Sequence, residues 1–392
     1  MIRLLHFFLL FISTLSFGQS YKQIHADATV IDTHNDVLIS ILKGLSIEED
    51  LTGKTHSDIE RFRKGGVDVQ VFSIWSDERY GNGKGFRFAN RQIDSLYAIT
   101  ARNKHRLMIV TNPAQLIKAV GQKKLGVMMG MEGGHMIEDN LSYLDSLYNR
   151  GVRYMTLTWN NSTSWATSAA DETSLSFTGQ KGLSTFGQEV IKRMNELGMM
   201  VDLSHAGEKM FWDVMKLTTK PVLVSHSCVY ALCPHRRNLK DDQIKAIAKN
   251  DGVIHINFYS GFLDSNYEKR KNTFLREHAA ELDSLKSEKL QEFEIDMWLT
   301  AKYPKEMESL HAPFSILIDH IEYIIKLAGI DHVGLGSDYD GIESPPQHLE
   351  DVSKLPLITK ALLEKGYSKK DIEKILGGNF IRVFKANQTN SK

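Results

Sequence analysis

Residues 125–134 read LGVMMGMEGG: an apolar run that turns acidic at Glu132, just before the pair Gly133-Gly134. Strict alternation would mark a strand with one wet face. A run apolar on both faces marks a strand covered on both sides, the habit of parallel sheets layered with helices. Similar runs recur along the chain: ATVIDTHND (28–36), VDVQVFSIW (67–75), VRYMTLTW (152–159), MMVDLSH (199–205), PVLVSHS (221–227), GVIHINF (252–258) and HVGLGSDYDG (332–341). The segments between them carry helical spacing. Phe186, Val190, Met194 and Leu197 repeat before a stop at Gly198. Leu317, Ile321, Ile324, Ile325 and Ala328 do the same before Gly329. The segment 241–252 opens on Asp and ends in Asn-Asp-Gly, as a capped helix does.

Eight such runs alternating with helices predict an α/β fold, a (β/α)8 TIM-type barrel with helical insertions. The alternative, an open doubly wound sheet, calls for a glycine-rich phosphate loop after an early strand, and no GxGxxG or GxxxxGK[ST] stands there. The glycines of GNGKGFRF (81–88) read as a loop. Two connections, 76–124 and 259–313, are long. The second is densely charged and reads as solvated helices over one barrel face, an insertion without catalytic role or, alternatively, a lid.

With 392 residues the chain could hold two or three domains, but barrels of this kind routinely exceed that prior. Lys plus Arg (48) equal Asp plus Glu (48), so neither a nucleic-acid partner nor an acidic tail is indicated. Residues 1–18 read as a signal peptide: Arg3, the apolar LLHFFLLFISTLSF, then small residues before Gln19. The run is short for a membrane span, no Cys follows it, and KANQTNSK at the other end is polar. The expectation is an exported chain, periplasmic or secreted, with no stable membrane anchor and a single domain over 19–392. Cys228 and Cys233 either pair or stay as buried thiols.

Active sites of such barrels lie at the C-terminal ends of the strands. There the runs deliver His34 and Asp36, Glu132, His205, His226, and Asp338 with Asp340. Singly each has a bland reading: a satisfied core histidine, a turn start at Glu132, an Asx-turn at Asp338-x-Asp340-Gly341. Together these readings would demand a separate buried partner for every residue. His255 in mid-strand and His135 after the glycine pair suit supporting positions. Three histidines with carboxylates, and no suitably placed Cys, fit a zinc-type site of nitrogen and oxygen ligands. Five ligands exceed one catalytic zinc and suit two metals sharing a carboxylate. His34 and Asp36 (i, i+2) can share one metal, His205 and His226 the other, with Glu132 between them. Two metals roughly 3.5–4 Å apart can hold a hydroxide and polarise a carbonyl.

The motifs DTHND, GMEGGH, DLSH, VSHS, RRN and GLGSDYDG, in this order, resemble the membrane (renal) dipeptidase family of zinc peptidases, amidohydrolase-type barrels, over nearly all of the mature chain. The resemblance implies two zinc ions held by His34 and Asp36, by bridging Glu132, and by His205 and His226. It implies Asp338 as the acid/base and Arg237 as the group that binds the substrate carboxylate, a task a guanidinium fork suits. Without the motif, Arg236-Arg237 would read as a surface pair. One departure stands out. The family's TLTH-like motif places a substrate-binding histidine where this chain has Trp159, in TLTWNN. An indole donates one N–H and cannot be a cation, so either Asn160 or Asn161 substitutes for the histidine, or the substrate differs. The implied activity is hydrolysis of dipeptides, including those with a C-terminal D-residue. The alternatives are hydrolysis of another amide, lactam or ester, or an inactive metal-binding protein supported by Trp159 alone. Homodimer formation stays open.

Overall fold

The computed structural model describes residues 20–77, 83–288, 290 and 292–388; the expected leader, 1–18, lies outside them. Among the described residues the strands are β1 (Ile31–Asp32), β2 (Val69–Trp75), β3 (Leu107–Ile109), β4 (Leu125–Glu132), β5 (Val152–Thr156), β6 (Met200–Asp202), β7 (Leu223–Ser227), β8 (Val253–Ile256) and β9 (Val333–Leu335). Every pairing between them is parallel. The order β1-β2-β4-β5-β6-β7-β8-β9 returns to β1 through Asp32 opposite Leu335, closing an eight-stranded barrel. Each of the eight apolar runs supplies one stave.

The ninth strand, β3, lies outside the ring. It pairs with the first residues of β4, Leu107 opposite Leu125, while β5 takes the later residues from Met129 to Glu132. The helix Thr185–Leu197 starts at Ser184, whose hydroxyl accepts from the Gly187 amide, and stops at Gly198 with φ +79°, the left-handed turn that glycine adopts at least cost. The helix Phe314–Ala328 ends as expected at Gly329. One expectation is corrected. Of the stretch GNGKGFRF, Gly81 and Asn82 lie outside the described residues, and only Gly83 and Lys84 are non-helical. From Gly85 it forms the first turn of an 18-residue helix, Gly85–Arg102, which buries Ala89, Ile93 and Leu96.

The connection 259–313 is helical, but it is more than a solvated layer. Its helices, Tyr267–Glu277, Ala279–Ser287, Glu292–Lys302 and Pro304–Leu310 among them, close around a separate apolar cluster of Tyr267, Phe274, Leu285, Leu299 and Met307. A buried Lys271–Asp296 ion pair at 2.6 Å belongs to the same unit.

Inside the barrel, the first residues of the strands point to one layer: Ile31, Val69, Val71, Met128, Met200, Leu223 and Val253. Phe380, Val383 and Phe384 of the helix Asn379–Asn387 pack into it and plug the N-terminal end. Polar side chains therefore collect at the other end, where the strands run out. Among the described residues no helix is long and apolar enough to cross a membrane.

Candidate metal centre

Six of the residues singled out in the sequence meet at that open end. His34 follows β1, Asp36 precedes the helix Val37–Leu42, Glu132 ends β4, His226 lies in β7, and His205 and Asp338 stand three residues beyond β6 and β9. All but Asp338 fall among the buried residues, and its side chain keeps only 13% of its exposure. Glu132 straddles the cluster. Its Oε2 lies 3.3 Å from His34 Nε2, and its Oε1 lies 2.9 Å from His205 Nε2 and 3.4 Å from His226 Nε2. On the far side of His34, Asp36 Oδ2 stands 3.4 Å and Asp338 Oδ1 3.9 Å from Nε2. The two histidine nitrogens of His205 and His226 approach to 3.0 Å. Two overlapping donor groups result, His34–Glu132–His226 and His34–Asp36–Asp338, each within 4.8 Å internally.

These residues fit a divalent cation. His34 Nε2 is buried and has no hydrogen-bond partner among the described residues. Burial opposes a charge on that ring, yet Tyr154, Glu132 and Asp36 beside it raise its pKa well above the ordinary value, so the pocket favours a positive charge at this spot. His205, brought down to about 4 by burial and by Arg237, keeps a lone pair to donate, and His226 is lowered by burial and by His34. Burial raises the Glu132 carboxyl, but the three histidines around it win and hold it well below the usual range. Asp338 goes the other way: burial pushes its carboxyl well up, His34 opposes, and Asp36 and Glu132 reinforce.

Arg237 is buried, not part of a surface pair; Arg236 beside it is exposed. Burial lowers its guanidinium to about 10, so it stays charged at neutral pH. One Nη donates to the His226 carbonyl at 3.4 Å, Nε has no partner among the described residues, and the group lies over the Phe262 ring at 5.4 Å. Arg237 and His205 both line a cavity of about 410 Å³.

The model of the family "Membrane dipeptidase (Peptidase family M19)" matches residues 19–392. The chain belongs to the M19 membrane dipeptidase family. An uncharacterized dipeptidase of Schizosaccharomyces pombe is 33% identical over 390 residues, covering 94% of this chain and 82% of that protein. Dipeptidase 3 of Macaca fascicularis is 30% identical over 377 residues, covering 95% and 68%. Two solved structures share the fold. A Rhodobacter sphaeroides metallopeptidase, liganded with a phosphinate mimic of L-Ala-D-Ala, superposes with a TM-score of 0.74 at 22% identity, covering 92% of this chain and 99% of its own. A probable dipeptidase from Pseudomonas aeruginosa gives 0.73 at 22% identity, covering 94% and 97%. As an M19 protein this chain is a metallodipeptidase, a hydrolase acting on dipeptides.

Around the centre of this M19 dipeptidase the remaining expectations sort out. Trp159 is half-buried at the rim, edge-on to Trp75 with ring centroids 5.0 Å apart, and Trp75 sits in register with Glu132. Asn160 is exposed, and Asn161 turns its amide to the Ser162 carbonyl. His255 points away from the cluster, donating to the Val224 carbonyl and packing on Phe380. His135 hydrogen-bonds to Ser76, and Asp340 accepts from the His56 amide. Cys228 and Cys233 are unpaired buried thiols.

Two contributors went unread in the sequence. Asn257 donates to Asp338 Oδ2 at 2.8 Å, and Tyr154 Oη lies 2.8 Å from His34 Nδ1. Asn257 did carry a signal. It is the polar residue near the end of GVIHINF, the same relative place as the other site residues. Tyr154 carried none, because an inward tyrosine in an apolar strand reads as core.

Proposed function

We propose that this M19 dipeptidase is a two-zinc enzyme that cleaves dipeptides with a free C-terminal carboxylate, a D-residue at that position included. His34 and Asp36 hold one zinc, His205 and His226 the other, and Glu132 joins them. The observation that carries this reading is the divided carboxylate of Glu132, one oxygen toward His34 and one toward the two remaining histidines. When bound, the zinc pair supplies Lewis-acid polarisation of the scissile carbonyl and an activated water.

The chain's own residues do the rest. Arg237 docks the substrate carboxylate with donors that no carboxylate among the described residues uses, and Phe262 covers its face. Asp338, steadied by Asn257, turns Oδ1 toward the cluster. It takes a proton as water adds to the carbonyl carbon and gives it to the departing amine nitrogen as the C–N bond breaks. Its raised pKa, set by burial, suits a group that must hold that proton between the two events. The L-Ala-D-Ala mimic bound by the Rhodobacter sphaeroides relative supports D-residue tolerance. Residues 1–18 serve as a cleaved leader, 19–392 as one domain, and the mature enzyme works outside the cytoplasm.

The test is hydrolysis of L,L- and L,D-dipeptides and of their C-terminal amides by zinc-loaded protein, with a chelated control. The expected result is chelator-sensitive cleavage of the acids and little of the amides, with Arg237→Ala erasing the difference. Amides cleaved as fast as acids would refute the role of Arg237. Inert protein holding two zinc ions would mean that Trp159 marks a changed substrate or a lost activity, and would transfer the search to other amides and lactams.

A further inference from the structure

We propose that Tyr154 and the Ser225–Asp202 pair are positioning residues: they fix a proton on Nδ1 of His34 and of His226, aim both Nε2 atoms at the centre, and so set how tightly metal is held. The inference rests on the ligand assignment above and needs no assumption about substrate.

Acceptor-only groups decide where the protons sit. Tyr154 Oη lies 2.9 Å from the Thr33 carbonyl oxygen and 2.8 Å from His34 Nδ1. A carbonyl can only accept, so it receives the single phenolic proton, and Nδ1 must donate to the phenol oxygen. Nε2 is then the atom left for a cation, and it is the one buried without a partner.

At His226 the same result is reached with different residues. Ser225 Oγ lies 2.8 Å from His226 Nδ1 and 2.6 Å from Asp202 Oδ2. Asp202 Oδ1 accepts the backbone N–H groups of Ser204 and Ser225, at 3.1 and 2.8 Å, and Oδ2 also accepts the Thr156 hydroxyl. A fully buried carboxylate ringed by donors takes the Ser225 proton as well, so Nδ1 of His226 donates to Ser225 Oγ. His205 makes the contrast: its Nδ1 is buried and has no partner among the described residues.

The barrel is shaped for the first of these devices. A Cβ at Gly130 would fall 2.0 Å from Tyr154 Cζ. A bare position on β4 therefore lets the phenol cross the interior from β5 to β1. Neither Tyr154 nor Asp202 is among the ligands or the acid/base, and each acts only through another residue.

The experiment measures zinc affinity of the full chain by competition with a fluorescent chelator, in the absence of substrate, for Tyr154→Phe, Ser225→Ala and Asp202→Asn. In Asp202→Asn the two backbone N–H groups keep the carbonyl oxygen at Oδ1, so the amide nitrogen faces Ser225 and removes its acceptor at nearly unchanged volume. The expected result is about 10- to 100-fold weaker zinc in each variant. Circular dichroism and melting in excess chelator report folding separately, a readout that loss of packing alone would move while leaving affinity intact. Affinities within about twofold of the parent in folded Tyr154→Phe and Ser225→Ala protein would overturn the proposal. The parent is measured first: failure to retain zinc there would overturn the ligand assignment itself, independently of any result with dipeptides.

Discussion

Asp338 is held at φ +62°, in the left-handed region that a side chain adopts at a cost, and its carboxyl is tied by Asn257. A residue kept in that conformation beside His34 and Asp36 has a geometric task. Asp338→Asn keeps its size and the Asn257 contact but can no longer carry a proton. The expected outcome is normal metal content with turnover lowered about 10²- to 10⁴-fold, checked by metal analysis alongside steady-state kinetics. The residues that cluster around it were legible in the sequence because each interrupts an apolar run at the same relative place. Tyr154 was not legible, since its partner His34 lies 120 residues away and only barrel closure joins them. Trp159 was legible as a departure from a motif, but its packing on Trp75 needed the register of β2 against β4.

Periodicity served the longer elements well and the short or glycine-led ones poorly. β3 is three residues long and pairs with half of one strand, too little for any pattern to emerge from the connection 76–124. The helix Gly85–Arg102 opens on the last glycine of a glycine-rich stretch, which conceals the apolar face formed by Ala89, Ile93 and Leu96. The insertion 259–313 looked merely solvated because its charge density is high, yet part of that charge is internal. Lys271 and Asp296 are both buried and pair at 2.6 Å. Lys271→Met should leave Asp296 without its countercharge and cost about 3–5 kcal/mol, because a lone buried charge has no compensation. The loss should appear as faster amide hydrogen exchange across 267–310, with zinc affinity unchanged.

For the molecule as a whole, acid is the predicted weakness, and part of its origin lies away from the metal centre. Burial keeps His255 and His320 neutral, with pKa values near 3 and 4 in the folded state against about 6.5 in the unfolded chain. His255 is buried against Phe380, and His320 accepts from the Val229 amide and donates to the Leu263 carbonyl. A depressed folded pKa means that the unfolded chain binds the proton first. Their contribution to stability is therefore complete above pH 6.5 and shrinks as the pH falls toward 4 and 3. Between pH 6.5 and 5 the two together should remove about 3 kcal/mol, read as a drop in urea midpoint of the metal-free protein. A flat midpoint over that range would show that these rings titrate normally. The fold class was legible at this scale because eight both-faces-apolar runs leave few other architectures. The plug of Phe380, Val383 and Phe384 was not, since nothing in a short helical pattern tells which opening it fills.

The ring closes by pairing its first stave with its last, Asp32 beside Leu335. A ribosome must therefore deliver more than 300 residues before β1 finds one of its two neighbours, as the 302-residue separation of Thr33 from Leu335 measures. Until then His34 is not held opposite Glu132, His205 and His226, and the nascent chain offers scattered imidazoles in place of a chelating cage. The donor cluster is therefore complete only once the last stave is in place, so the capacity to chelate should be the last property the folding chain acquires.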